Sequence, residues 1–136
     1  MIVTARLTFS AAHRLHNPKY DAEWNRRTYD KCDNPAGHGH NYVIQVSVRG
    51  TIDPETGMVI DLKRLKDIIR ARVIDRVDHR NLNEDVDFLR DVIPTAENLA
   101  RAFWRQLAPA VAPAALHEIV LLETEKNSVQ YAGEDE

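Results

Sequence analysis

The chain opens on a strict alternation. Val3, Ala5, Leu7, Phe9, Ala11 and His13 share one parity, and Thr4, Arg6, Thr8 and Ser10 share the other. A period of two with one apolar side predicts a half-buried strand over 2–13, with His13 as the last member of its inward face. A second alternation, His40, Tyr42, Ile44, Val46 and Val48, predicts a strand over 42–50 that His38 and His40 enter. Arg14–Gly39 between them lacks apolar periodicity and carries Pro18, Asn25, Asn34, Pro35, Gly37 and Gly39. It reads as a long loop, a length that in compact domains is usually functional or disordered. Tyr20, Trp24 and Tyr29 favour packing.

Asp53-Pro-Glu-Thr-Gly57 has turn chemistry, and Met58–Ile60 reads as a short strand or extended arm. Asp61 can cap a helix that buries Leu62, Leu65, Ile69 and Val73. Asp78–Leu82 reads as that helix's exit. Pro94 and Thr95 open a second helix with Leu99, Phe103, Leu107 and Val111 inward and Trp104 beside the stripe. A strand over 117–124 places Ile119, Leu121 and Glu123 on one face, and Ser128–Tyr131 is a last short strand. Two strands, two helices and two strands make an α+β pattern.

A length of 136 residues predicts one domain, 1–136, by the usual size of roughly 100–200 residues. The acidic end, 133–136, is expected to fray. Eighteen basic residues against 21 acidic ones, net −3, argue against nonspecific nucleic-acid or membrane binding. They leave room for a small anion at a local patch, and Arg14, Lys19, Arg26, Arg27 and Lys31 crowd the long loop. The single cysteine excludes an intrachain disulfide. With no signal peptide and no long apolar run, a cytoplasmic protein is expected.

The chemistry gathers in Lys31-Cys-Asp-Asn-Pro-Ala-Gly-His-Gly-His-Asn-Tyr42. Zinc accepts imidazole nitrogen, and a catalytic site commonly has three protein ligands and an open position. His13, His38 and His40 share parity with apolar strand faces and could meet as such a set. A lone histidine in the place of His13 is more often a core residue, and His16 could take its place as a ligand. Cys32 as a fourth ligand would close the site into a noncatalytic zinc-binding module. Outside the site it could serve as base or nucleophile, because positive charge lowers a thiol's pKa. Glu123 ends its strand face as His13 ends the first.

Phe9-Ser-Ala-Ala-His-Arg-Leu-His16, the Lys31–Tyr42 stretch, Asp53-Pro-Glu-Thr-Gly-Met58, Asp78-His-Arg-Asn-Leu82, Pro94-Thr-Ala-Glu-Asn98 and Glu123-Thr-Glu-Lys-Asn127 occur in this order. Together they resemble the 6-pyruvoyl-tetrahydropterin synthase family over nearly the whole chain. The resemblance implies a T-fold (tunnelling fold), a four-stranded antiparallel sheet with two helices on one face, and a homohexamer of two trimers. It implies Zn(2+) held by His13, His38 and His40, catalysis by Cys32 with the Asp78–His79 pair, and a pterin anchor at Glu123. Thr95 and Thr124 match positions that build the pterin pocket. Ala96 departs from close relatives that often carry a hydroxyl residue there, and its methyl group supplies no second pocket hydrogen bond.

The implied reaction converts dihydroneopterin triphosphate to 6-pyruvoyl-tetrahydropterin and triphosphate, in tetrahydrobiopterin biosynthesis. Related 6-carboxytetrahydropterin synthases of queuosine (7-deazapurine) biosynthesis tend to a shorter cysteine-to-histidine spacing. Here Asp33–Gly37 lie between, which favours the pyruvoyl enzyme.

Overall fold

The first alternation forms β1 (Ile2–His13) and the second β2 (His38–Arg49) in the computed structural model, which describes residues 1–136. They pair antiparallel along their full length, from Ile2 opposite Arg49 to His13 opposite His38. Partnership with β1 starts β2 four residues before the apolar pattern alone indicates. A two-residue strand, β3 (Arg80–Asn81), runs parallel to β1 at Ala11 and Ala12. β4 (Ala115–Leu122) pairs antiparallel with β2, and β5 (Ser128–Tyr131) with β4. The sheet order is β3-β1-β2-β4-β5, the four expected strands with one short edge strand added.

Three longer helices accompany the sheet. α1 (Ala22–Tyr29) lies inside the segment that reads as a loop, capped by Asp21 accepting from the Trp24 N–H at 2.8 Å. Its one fully buried residue is Asn25, so it carries no apolar stripe for periodicity to find. α2 (Leu62–Ile69), capped by Asp61, runs through a π turn (Arg70–Ile74) into the short α3 (Asp75–Val77). α4 (Ala96–Leu107) is capped by Thr95. The arm before α2, Met58–Ile60, pairs with no strand.

The inward sheet residues Ala5, Phe9, Tyr42, Ile44, Val46, Val48, Ile119 and Leu121 form one core with Leu65, Ile69 and Val73, and with Leu99, Phe103 and Leu107. Each fully buried large apolar side chain contributes roughly 1.5–3 kcal/mol. Phe9 stacks on Tyr42 at 4.7 Å and meets Phe103 edge-on at 5.9 Å. Leu62, expected inward, is 46% exposed. It starts the helix, and at 100° per residue it stands about 60° off the Leu65 direction.

The acidic end does not stand free. Gly133, at φ +81°, lies so close to Trp104 that an added Cβ would sit 2.5 Å from the indole. The Glu136 carboxylate accepts from Arg105 at 3.0 Å and from the Tyr131 hydroxyl at 3.0 Å.

Candidate functional site

Parity carries the three strand histidines to one place. The His13 and His38 positions pair directly across the β1–β2 ladder, and His40 follows two residues on. One imidazole nitrogen from each of His13, His38 and His40 lies within 4.8 Å of the others. Gly37 makes the entry possible. Its φ is +74°, and a Cβ there would sit 3.0 Å from the His13 carbonyl oxygen.

Hydrogen bonding fits this cluster to a cation. His13 Nδ1 donates to the Pro94 carbonyl at 2.8 Å. A carbonyl can only accept, so the neutral ring keeps its lone pair on Nε2. That Nε2 is 3.0 Å from His38 Nε2. His40 Nε2 is buried without a hydrogen-bond partner. Burial lowers the pKa values of His13 and His40, against the opposing hydrogen bond that His13 donates to the Pro94 carbonyl in one case and the Glu123 charge in the other. Both effects of burial favour the neutral imidazole that binds metal. Tyr42 sits beneath, its phenol pushed up mainly by burial.

Glu123, just past β4, places Oε1 3.8 Å from His40 Nε2. Its backbone N–H donates to Asn127 across the β4–β5 turn. Thr124 Oγ1 accepts the Lys126 and Asn127 N–H groups in that turn, at 3.2 and 3.1 Å. Thr95 Oγ1 accepts the Asn98 N–H at the head of α4, next to the carbonyl that holds His13. Each threonine hydroxyl therefore shapes its turn and retains its own proton to donate.

Cys32 lies half-buried in a 3-10 turn, Asp30–Asp33, outside the converging nitrogens. His16 is also outside them, with Nδ1 2.7 Å from Asp33 Oδ1. Asp78 and His79 lie at the β3 edge. Ser10 N–H donates to Asp78 Oδ1 at 2.9 Å, and His79 N–H donates to Ser10 O at 2.6 Å. The Ser10 hydrogen bond is the main cause holding the Asp78 carboxyl below the usual range. His79 Nδ1 is 3.0 Å from Asp78 Oδ2, and its side chain is 82% exposed. The pair makes no hydrogen bond to the triad or to Cys32 within the chain.

Asn25 and Asp33 are the residues that sequence reasoning missed. The Asn25 side chain accepts from Asn17 N–H at 2.7 Å and donates to the Asn17, Tyr20 and Asp21 carbonyls. A buried polar residue with its amide satisfied organises the 17–21 turn, and a single sequence gives no signal for it.

The family model described as 6-pyruvoyl tetrahydropterin synthase matches residues 2–134. The chain is 47% identical over 132 residues to the 6-pyruvoyl tetrahydrobiopterin synthase of Poecilia reticulata, covering 97% of this chain and 90% of that protein. It is 42% identical over 132 residues to the Homo sapiens protein of the same name, covering 97% and 91%. The solved Caenorhabditis elegans 6-pyruvoyl tetrahydropterin synthase superposes with a TM-score of 0.89 at 44% identity, over 98% of this chain and 96% of that one.

Proposed function

The chain belongs to the 6-pyruvoyl tetrahydropterin synthase family, and on that premise we propose that it is a zinc-dependent lyase that converts dihydroneopterin triphosphate to 6-pyruvoyl-tetrahydropterin and triphosphate. The fold is the family's T-fold. The observation that carries the proposal is the convergence of His13, His38 and His40, with Cys32 outside the set. A thiol held apart from three imidazoles leaves a metal position open to substrate, which counts against a closed structural module.

His13, His38 and His40 would hold the zinc. When bound, it would withdraw electron density from the two side-chain hydroxyls and acidify the neighbouring C–H bonds. Cys32, as thiolate, takes the proton from the first side-chain carbon. Return of a proton to the pterin ring reduces the ring as the side chain is oxidised, so no external reductant enters. Asp78 orients the His79 imidazole, and His79 passes protons. Its exposure makes the pair available to a neighbouring subunit in the expected homohexamer of two trimers. Glu123 accepts two parallel N–H bonds from the pterin amino group and adjacent ring nitrogen. Thr95 and Thr124 contribute hydroxyl donors to the same pocket.

We read residues 1–136 as one domain and the protein as cytoplasmic. No helix is long and apolar enough to cross a membrane. The spacing between Cys32 and His38 and the names of the relatives favour the pyruvoyl product over the carboxy product. Incubation of purified, zinc-loaded protein with dihydroneopterin triphosphate tests this. The 6-pyruvoyl product with triphosphate release supports it, and acetaldehyde with 6-carboxytetrahydropterin overturns it.

A further inference from the structure

Residues 14–16, which leave the metal ligand His13, and residues 32–33 grip one another. Leu15 N–H donates to the Cys32 carbonyl at 2.8 Å. Arg14 Nε–H donates to the Asp33 carbonyl at 2.9 Å, and Arg14 Nη2 lies 3.0 Å from Asp33 Oδ1. His16 Nδ1 meets the same carboxylate oxygen at 2.7 Å. The Asp33 side chain is only 12% exposed. From the other side, Asn83 accepts the Arg14 N–H at 2.7 Å and donates to the Arg14 carbonyl at 2.8 Å.

The Cys32 thiol has no hydrogen-bond partner of its own, and its 3-10 turn is four residues long. The backbone of 32–33 therefore sets where the Cys32 Cα–Cβ bond, and with it the reach of the thiol, is placed. Arg14 and His16 both converge on Asp33 Oδ1, which holds residue 33 from two sides. We infer that Asp33, gripped by Arg14 and His16, is a positioning residue for Cys32. It fixes the base at a set separation from the metal ligand that begins the same segment. This inference rests on the reading of Cys32 as the catalytic base.

The test uses the full, zinc-loaded chain with Asp33→Ala, Asp33→Asn and Cys32→Ala. Misplacement of a reacting group by about 1 Å can cost about a hundredfold, so Asp33→Ala should lose about that in kcat with KM unchanged and zinc retained. Its Cys32 should be alkylated faster by iodoacetamide, because the turn that carries the thiol is loosened. Asp33→Asn keeps an acceptor for both partners and should recover most of kcat. If Asp33→Ala fails to fold, His16→Phe, which removes one of the same contacts, should show a smaller loss confined to kcat. Wild-type kcat in the folded variant, or a loss that only tracks lost zinc, overturns the positioning role. An active Cys32→Ala protein instead overturns Cys32 as base, and the positioning role with it.

Discussion

His13 is bound to Pro94 through a 2.8 Å hydrogen bond that spans 81 residues of chain. This contact fixes the tautomer of a buried imidazole and ties the end of β1 to the head of α4. The second tie explains why a histidine among apolar neighbours keeps one orientation. Metal ligands held this way lose affinity when their outer partners are disturbed.

Loss of a ligand should remove the metal. His38→Ala and His40→Ala proteins are each expected to purify without zinc and without activity. Elemental analysis checks this, and full zinc occupancy in both would refute a three-histidine site.

Gly37→Ala should weaken the same site without touching a ligand. A Cβ at φ +74° and 3.0 Å from the His13 carbonyl forces the backbone to shift where His38 begins. The left-handed conformation alone costs about 1–2 kcal/mol for a residue with a Cβ. A lower Tm and faster zinc loss to a chelator are expected, and unchanged zinc retention would count against the close approach.

Cys32→Ala should keep zinc and still bind pterin. It should lose solvent exchange of the side-chain proton by about 10²–10⁴-fold, the usual contribution of a positioned base. His79→Ala should be impaired with zinc retained. Zinc loss from Cys32→Ala would make the thiolate a ligand.

Glu123→Gln replaces one acceptor with a donor facing the pterin N–H groups. A lost charge-assisted pair costs about 1.5–3 kcal/mol, so pterin affinity measured by calorimetry should fall about tenfold or more. Equal affinity would reduce Glu123 to a polar strand end.

Asp78 should make stability depend on acid. Its folded carboxyl titrates below the ordinary range, chiefly because Ser10 N–H donates to it. Protons therefore bind the unfolded chain more readily. The stabilising contribution is complete above the unfolded carboxyl pKa, about 3.9, and disappears as pH falls through the lower folded value. The stability gap between wild type and Asp78→Ala in denaturant melts should be constant near neutrality and close below that range. A gap that persists in acid would assign the effect to packing.

Much of this was readable in advance because strands with one buried face advertise themselves. The alternation through His13 and again through His40 and Tyr42 already put three histidines on one side of one sheet. Asp61, Thr95 and the Leu99–Phe103–Leu107 stripe marked helices in the same way. α1 stayed hidden because its inward residue is Asn25, whose packing is polar. The tie from Asp33 to Arg14 and His16 was equally silent, since charged residues in a loop give no sign of which will meet. β3 was missed because two residues cannot display a period. The docked tail was missed because its glycine packs against Trp104, far away in sequence.

The facing positions of His13 and His38 have a consequence for how the molecule assembles itself. They close a ladder twelve pairs long. A slip of one residue would turn His38 and His40 to the opposite face of the sheet while His13 stayed inward. Three imidazoles can therefore converge on one point only in the aligned ladder, so the completeness of this cluster reports strand alignment.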